Sequence, residues 1–171
     1  MDNPPKILVV DDDEHIIKTM KIILTKKGYT VDSASNGSEA ISKTKETVYN
    51  VAIIDIRLPD MEGVELLTKM GNAVPKTRKI IITGYPSMQN AVKALNNQAD
   101  AYIIKPVDIE KLLALIQEQL QLQKEEKKFS QQKVSDFIES RVRELSASPS
   151  SQTNLSFFQS TSILQSINFL M

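Results

Sequence analysis

The sequence has no cysteine, no tryptophan, a single histidine and only 5% aromatic residues. Without cysteine there is no disulfide, no thiolate metal site, no iron–sulfur cluster and no thiol nucleophile, which fits a reducing compartment. Net charge is absent too. Its 21 Lys and Arg balance 21 Asp and Glu, which argues against a protein built to coat nucleic acid or an anionic membrane, because both need a positive excess. No apolar run reaches the length of about 18 residues that a membrane span requires. The first residues, Met1-Asp2-Asn3-Pro4-Pro5, lack the basic and apolar regions of a signal peptide, so the expected address is the cytoplasm. What remains is 171 residues, 41% of them hydrophobic. That is enough for one packed domain and something extra.

The first two thirds alternate short apolar runs with helical patterns. Ile7-Leu8-Val9-Val10, Thr30 to Ala34, Val51-Ala52-Ile53-Ile54, Lys79 to Thr83 and Ala101 to Ile104 read as five strands. The unbroken branched runs among them are those of strands buried on both faces. Between and after them lie helical segments: Glu14 to Lys27 ended by Gly28, Ser38 to Lys45, Gly63 to Met70, a helix capped by Ser87, and one capped by Asp108. Five strands alternating with five helices imply a parallel sheet covered on both faces. Ligands of such sheets bind outside the C-terminal strand ends, where strand order reverses.

Those ends carry the chemistry. The first strand runs into Asp11-Asp12, the third into Asp55, the fourth into Thr83-Gly84 and the fifth into Lys105-Pro106. Three carboxylates on one rim repel unless a cation joins them. An open set of hard oxygen ligands suits Mg²⁺ better than a closed Ca²⁺ cage. A divalent metal, a lysine and a hydroxyl around one carboxylate cradle a phosphoryl group on it, and a carboxylate can itself be the nucleophile that takes one.

Four segments, Ile7 to Asp13, Ile53 to Gly63, Ile81 to Tyr85 and Ala101 to Pro106, resemble in order the receiver domain of two-component response regulators. The resemblance covers about residues 5 to 120. It implies a flavodoxin-like sheet in the order 2-1-3-4-5, as in the chemotaxis regulator. Carried over to these positions, Asp55 would be the phosphoacceptor. Asp12 would bind Mg²⁺ directly, Asp11 mainly through metal-bound water, and the Arg57 backbone carbonyl would be a further ligand. Thr83 would bond a phosphoryl oxygen, with help from the Gly84 amide. Lys105 would pair with the phosphate, and the bond to Pro106 would be cis. Tyr102 would be the aromatic switch that turns inward as Thr83 moves toward the phosphate. The implied donor is a sensor histidine kinase or a histidine phosphotransfer domain, and the implied output is contact with a downstream protein.

Plainer readings stand beside these. A strand-end Asp is often only a helix cap, and Asp13 is expected to be one. His15 is expected to be solvated and no phosphohistidine, and Gly63 to serve the backbone of a loop. Arg57 and Tyr85 each lie two residues beyond a site residue and should overhang the place where attacking water enters. A haloacid dehalogenase-type phosphatase also uses a strand-end Asp with Mg²⁺. Its motif, however, wants Thr or Val where His15 stands, and 171 residues leave no room for its cap domain.

The receiver is expected to span residues 5–121, followed by a helical extension over 122–145 and an uncharged Ser-rich tail over 146–171. Gln117 to Lys133 is nearly all Gln, Glu and Lys, with strong helix propensity and little to bury. Val134, Phe137, Ile138, Val142 and Leu145 then make an apolar stripe that could pair in a homodimer, dock on a partner or lie in solvent. The tail is expected to be disordered or a docking segment, with Phe157, Phe158, Ile163, Leu164, Ile167, Leu170 and Met171 as its apolar material. No helix-turn-helix pattern or basic patch follows the receiver, so no direct nucleic-acid contact is expected. Three functions stay open: a switch acting through protein contacts, an intermediate phosphate carrier of a phosphorelay, and a fragment of a DNA-binding transcriptional regulator.

Overall fold

The computed structural model describes residues 3–70 and 75–147. The strands are β1 (Lys6–Val10), β2 (Thr30–Ala34), β3 (Val51–Asp55), β4 (Arg78–Thr83) and β5 (Ala101–Ile104). The helices are α1 (Glu14–Lys26), α2 (Gly37–Glu46), α3 (Gly63–Lys69), α4 (Met88–Asn96) and α5 (Ile109–Ala147). All strand pairings are parallel and the order is β2-β1-β3-β4-β5. In register, Ile7 lies beside both Val31 and Val51, and Ile53 beside Ile80.

Period-two alternation splits the apolar strand residues between two cores. Leu8, Val10, Ala52, Ile54 and Ile81 pack on one face against Ala40 of α2, Leu66 and Leu67 of α3, and Ala94 of α4. Ile7, Val9, Ile53, Ile80 and Ile82 pack on the other against Met20 and Leu24 of α1, and Leu112 and Ile116 of α5. Both faces are covered by helices, which is why these strands read as continuous apolar runs. The chain goes to one face after β1 and to the other after β3. The crevice between these adjacent strands is the switch point, and it opens where Asp11, Asp12 and Asp55 stand.

Local signals start the helices. Asp13 Oδ1 accepts from the His15 and Ile16 amides, at 2.8 and 3.4 Å, and caps α1. Asn36 caps α2, Ser87 caps α4, and Asp108 accepts from the Glu110 and Lys111 amides. Gly28, at φ +89°, ends α1 in the left-handed region that glycine enters without penalty.

The polar run expected to have little to bury has two buried glutamines, Gln119 and Gln123. Gln123 Nε2 donates to the Asn50 and Lys76 carbonyls at 3.1 and 2.7 Å, and its Oε1 accepts from Asn50 Nδ2 at 2.9 Å. Arg78, buried at the start of β4, pairs with Asp100 at 2.9 Å and with Glu126 at 2.7 Å. Hydrogen bonds and ion pairs therefore join the half-buried Leu120 in holding this part of α5 on the N-terminal edge of the sheet. The compact unit accordingly runs through Lys127.

A second unit begins at Lys128. Its described part is helical. Phe129, Val134, Phe137, Ile138 and Val142 are exposed, with the Lys133 ammonium 4.6 Å from the Phe129 ring centre. The expectations for the tail, its Phe157, Phe158 and Ile163 to Met171 included, fall on residues 148–171, outside the described residues. Among the described residues no helix is long and apolar enough to cross a membrane.

Candidate functional site

The three consecutive acids after β1 are placed differently. Asp11 is buried, and its Oδ1 accepts from the Asp13 amide at 2.9 Å. Asp12 is exposed and Asp13 is committed to capping α1. Asp55 is the last residue of β3, in register with Ile82 of β4. One oxygen from each of Asp11, Asp12 and Asp55 can be chosen so that all lie within 4.8 Å of one another.

Lys105 reaches this group from the end of β5. Its Nζ lies 2.7 Å from Asp55 Oδ2 and 3.0 Å from Asp11 Oδ2. Lys105 is placed by its own amide, which donates to the Thr83 carbonyl at 2.7 Å, and by a cis bond to Pro106. Burial alone would lower the lysine's pKa. The hydrogen bonds and charges of Asp55 and Asp11 outweigh it, and the net direction is up. For Asp11 burial wins over the Asp13 amide and Lys105, and its carboxyl is raised above the usual value of 3.8. The rim is thus an excess of carboxylate only partly compensated by one ammonium, and its donor set, hard oxygens open to solvent, fits a small divalent cation.

Thr83, fully buried at the end of β4, accepts at Oγ1 from the Tyr85 amide at 3.0 Å. Tyr102, in register with Ile81, packs against the core on the α4 side. Its hydroxyl is buried, and burial raises its pKa against the opposing effect of the Ser87 backbone beside it. Arg57 and Tyr85 are both exposed and stack on each other, the guanidinium carbon 3.3 Å from the ring centre. His15 is exposed at the start of α1.

Gly63 has the backbone role expected of it, and Asp60 has one that sequence reasoning did not assign. Gly63 donates to the Ile56 carbonyl at 2.7 Å, and a Cβ built on it would collide with the Asp55 carbonyl oxygen. Asp60, on the loop between β3 and α3, accepts from the Gly37 amide, the Ser38 amide and the Ser38 hydroxyl, at 2.8, 2.8 and 2.7 Å. It thereby ties that loop to the first turn of α2, a favourable place for a carboxylate. Its partners are 22 and 23 residues away in sequence, so no local motif could have shown it.

Those bonds, the Ser38 hydroxyl first, hold the Asp60 carboxyl at about 2, against an ordinary 3.8. A depressed folded-state pKa adds stability that is present above the unfolded value and is lost as pH falls through the folded one. Denaturant midpoints of the parent should therefore carry an acid-side loss between about pH 4 and 2 that Asp60→Ala lacks. Parallel midpoint curves for the two proteins over that range would refute the assignment.

An open, doubly wound sheet with three acids, a lysine and a buried hydroxyl at its switch point belongs to the class of α/β modules that bind or accept charged groups at strand ends. Residues 7–117 match the response regulator receiver domain, and the chain belongs to that family. It is 39% identical over 114 residues to the transcriptional regulatory protein ZraR of Klebsiella oxytoca, covering 67% of this chain and 26% of the relative. A CheY-like receiver domain protein from Methanospirillum hungatei is 46% identical with a TM-score of 0.69, over 72% of this chain and 98% of that one. A Burkholderia pseudomallei response regulator, solved with a phosphorylated aspartic acid, a calcium ion and citrate, is 32% identical with a TM-score of 0.63, over 71% of this chain and 72% of that one. The chain spans between about a quarter and a half of the length of the curated relatives it matches. Receiver domains are phosphorylation-dependent signalling switches, and this chain carries one.

Proposed function

We propose that Asp55 accepts a phosphoryl group from a phosphohistidine of a sensor kinase or a histidine phosphotransfer domain. The observation that carries this is the Lys105 ammonium bridging Asp55 and Asp11 inside a three-carboxylate group. An Asp55 carboxylate oxygen attacks phosphorus, the phosphorus–nitrogen bond breaks, and the imidazole nitrogen keeps the electron pair. The product is an acyl phosphate. Asp11, Asp12, Asp55 and the Arg57 carbonyl would hold Mg²⁺, which when bound neutralises charge on the transferring phosphoryl oxygens. Lys105 pairs with one of those oxygens. The Thr83 hydroxyl donates to another, giving up its contact with the Tyr85 amide. The phosphorylated aspartic acid and the cation of the Burkholderia pseudomallei structure support this reading by likeness.

Incubation with acetyl phosphate and Mg²⁺ should add one phosphoryl group to the parent and none to Asp55→Asn, as read by intact mass. Equal labelling of the variant would place the acceptor elsewhere.

Movement of Thr83 and Tyr102 then biases the face of α4 and β5. Met88, Val92, Leu95 and Ile104 are exposed there, so this surface is suited to a downstream protein partner. We place this switch in the cytoplasm, acting through protein contacts. The apolar stripe from Val134 to Val142 is available for a homodimer or a partner helix. A second reading is favoured by the relatives: ZraR is a transcriptional regulatory protein, of which this chain covers 26%. On that reading the chain is the receiver part of a DNA-binding regulator. Fast return of phosphate to a histidine domain would instead mark an intermediate carrier.

The Arg57–Tyr85 stack sits on the two segments that follow Asp55 and Thr83, and we assign it the exclusion of hydrolytic water. Arg57→Ala and Tyr85→Ala should each speed loss of the acyl phosphate by several-fold to about tenfold, the rate equivalent of about 1.4 kcal/mol. Decay no faster than in the parent, followed by intact mass after removal of acetyl phosphate, would show that the stack does not shield the site.

A further inference from the structure

A cavity of about 340 Å³ has Asp11, Asp55 and Lys105 of the acidic rim at one end and an apolar part that the phosphoryl chemistry does not use. Its floor is made by Val9, Ile53 and Ile82, one side chain from each of the three central strands. Ile16 and Thr19 of α1 form one wall, and Val107 stands opposite. The floor residues are buried, whereas Thr19 at the mouth is exposed. The volume falls within the range of small-molecule sites, about 300–1,000 Å³, and like them this cavity is apolar with a few polar groups gathered in one place. The charged ones are Asp11, Asp55 and Lys105, while His15 and Thr19 line the cavity from α1. Two carboxylates against one ammonium leave that end negative, and the exposed Asp12 adds to it.

We propose that this cavity is a binding site for a small aromatic molecule carrying a single positive charge. The ring displaces water from the apolar floor, and the cationic head lies at the carboxylates of Asp11 and Asp55. A neutral ring alone lacks the second contact, and an anion would meet the carboxylates. The ligand and a divalent cation share Asp11 and Asp55, so occupation of the cavity opposes metal binding and hence phosphorylation. The competition part rests on the proposed Mg²⁺ site. Binding of the aromatic cation in metal-free buffer does not, so the two can fail separately.

The test uses phenethylamine as probe, with ethylbenzene and ethylamine as controls, titrated into the full chain in metal-free buffer and followed by amide chemical shifts. A ligand of this size is expected to bind in roughly the millimolar range. Shifts should centre on Ile16, Thr19 and Val107, with phenethylamine binding at least about fivefold more tightly than either control. Saturating Mg²⁺ should weaken it further, and Mg²⁺ titrated alone establishes the metal site independently. Thr19→Trp, which fills the mouth, should reduce phenethylamine affinity about tenfold while phosphoryl uptake from acetyl phosphate stays near the parental rate. Ile16→Phe is the second variant, should the first not fold. Shifts centred elsewhere, equal binding by ethylbenzene, or undiminished affinity in a folded cavity-filled variant would each overturn the proposal.

Discussion

Gly63→Ala is expected to cost about 3 kcal/mol or more of folding stability and to slow phosphoryl uptake about a hundredfold. The reason is a contact between two pieces of backbone. A Cβ at position 63 would overlap the Asp55 carbonyl oxygen, and the next nearest atoms are the Asp55 carbonyl carbon and Ile56 Cα, at 2.9 and 3.0 Å. None of these is the far end of a flexible side chain. Gly63 cannot retreat easily either, because its amide is bonded to the Ile56 carbonyl. Overpacking of ordinary side chains costs about 1–3 kcal/mol, and a clash with immobile backbone lies at or above that range. Whatever relief occurs displaces Asp55, and a displacement of about 1 Å in a reacting group can cost about a hundredfold in rate. Urea unfolding and acetyl phosphate labelling read the two effects. A loss under about 1 kcal/mol with parental labelling would show that the loop absorbs a methyl group without moving Asp55.

Lys105→Met should destabilise the metal-free protein by about 1–3 kcal/mol near neutral pH and reduce phosphoryl uptake about a hundredfold. The substitution keeps most of the stem and removes the ammonium that lies between Asp11 and Asp55. Breaking a fully buried ion pair costs about 3–5 kcal/mol. Lys105 keeps 22% of its side-chain exposure, so solvent screens part of that. The loss of rate follows from removing a preorganised charge aimed at the transferring group.

The pH dependence has a definite sign. The Lys105 pKa is raised, so its contribution holds below the ordinary lysine value of 10.5 and disappears as pH climbs through the folded value. Asp11 is raised as well, so the folded state takes up a proton before the unfolded state does, and its unfavourable burial is relieved as pH falls toward 3.8. Without Lys105 that relief is larger. The difference between parent and variant should therefore shrink on acidification. Mg²⁺ should stabilise the variant more than the parent, since it replaces the missing charge. A difference that stays constant from neutral pH to pH 4, together with equal stabilisation by Mg²⁺, would exclude this account.

The parts legible in the sequence share a physical property: each is set by interactions within a few residues. Strand identity follows from apolar runs such as Ile7 to Val10, and the starts of α1, α4 and α5 follow from Asp13, Ser87 and Asp108, which bond amides two or three residues on. Strand order did not come from periodicity. It came from likeness to a family, because alternation of strands and helices is compatible with several orders. The polar segment before Lys128 departs from its sequence pattern in one respect, the burial of Gln119 and Gln123. Propensity describes Gln119 and Gln123 as good helix residues, but nothing local shows that Asn50 and the Lys76 carbonyl will meet Gln123.

The amino-acid sequence by itself therefore determined the alternating elements, their caps and the set of strand-end residues, since hydrophobic period and capping are short-range. Tertiary structure alone decided which charges touch. It put Lys105 on Asp11 and Asp55 across separations of 94 and 50 residues, and Asp60 on the first turn of α2. It also pressed Gly63 against the Asp55 backbone and left an apolar cavity open at the rim. Those relations arise from the packing of helices on a parallel sheet, whose neighbouring strands are distant in the chain, so no local pattern carries them.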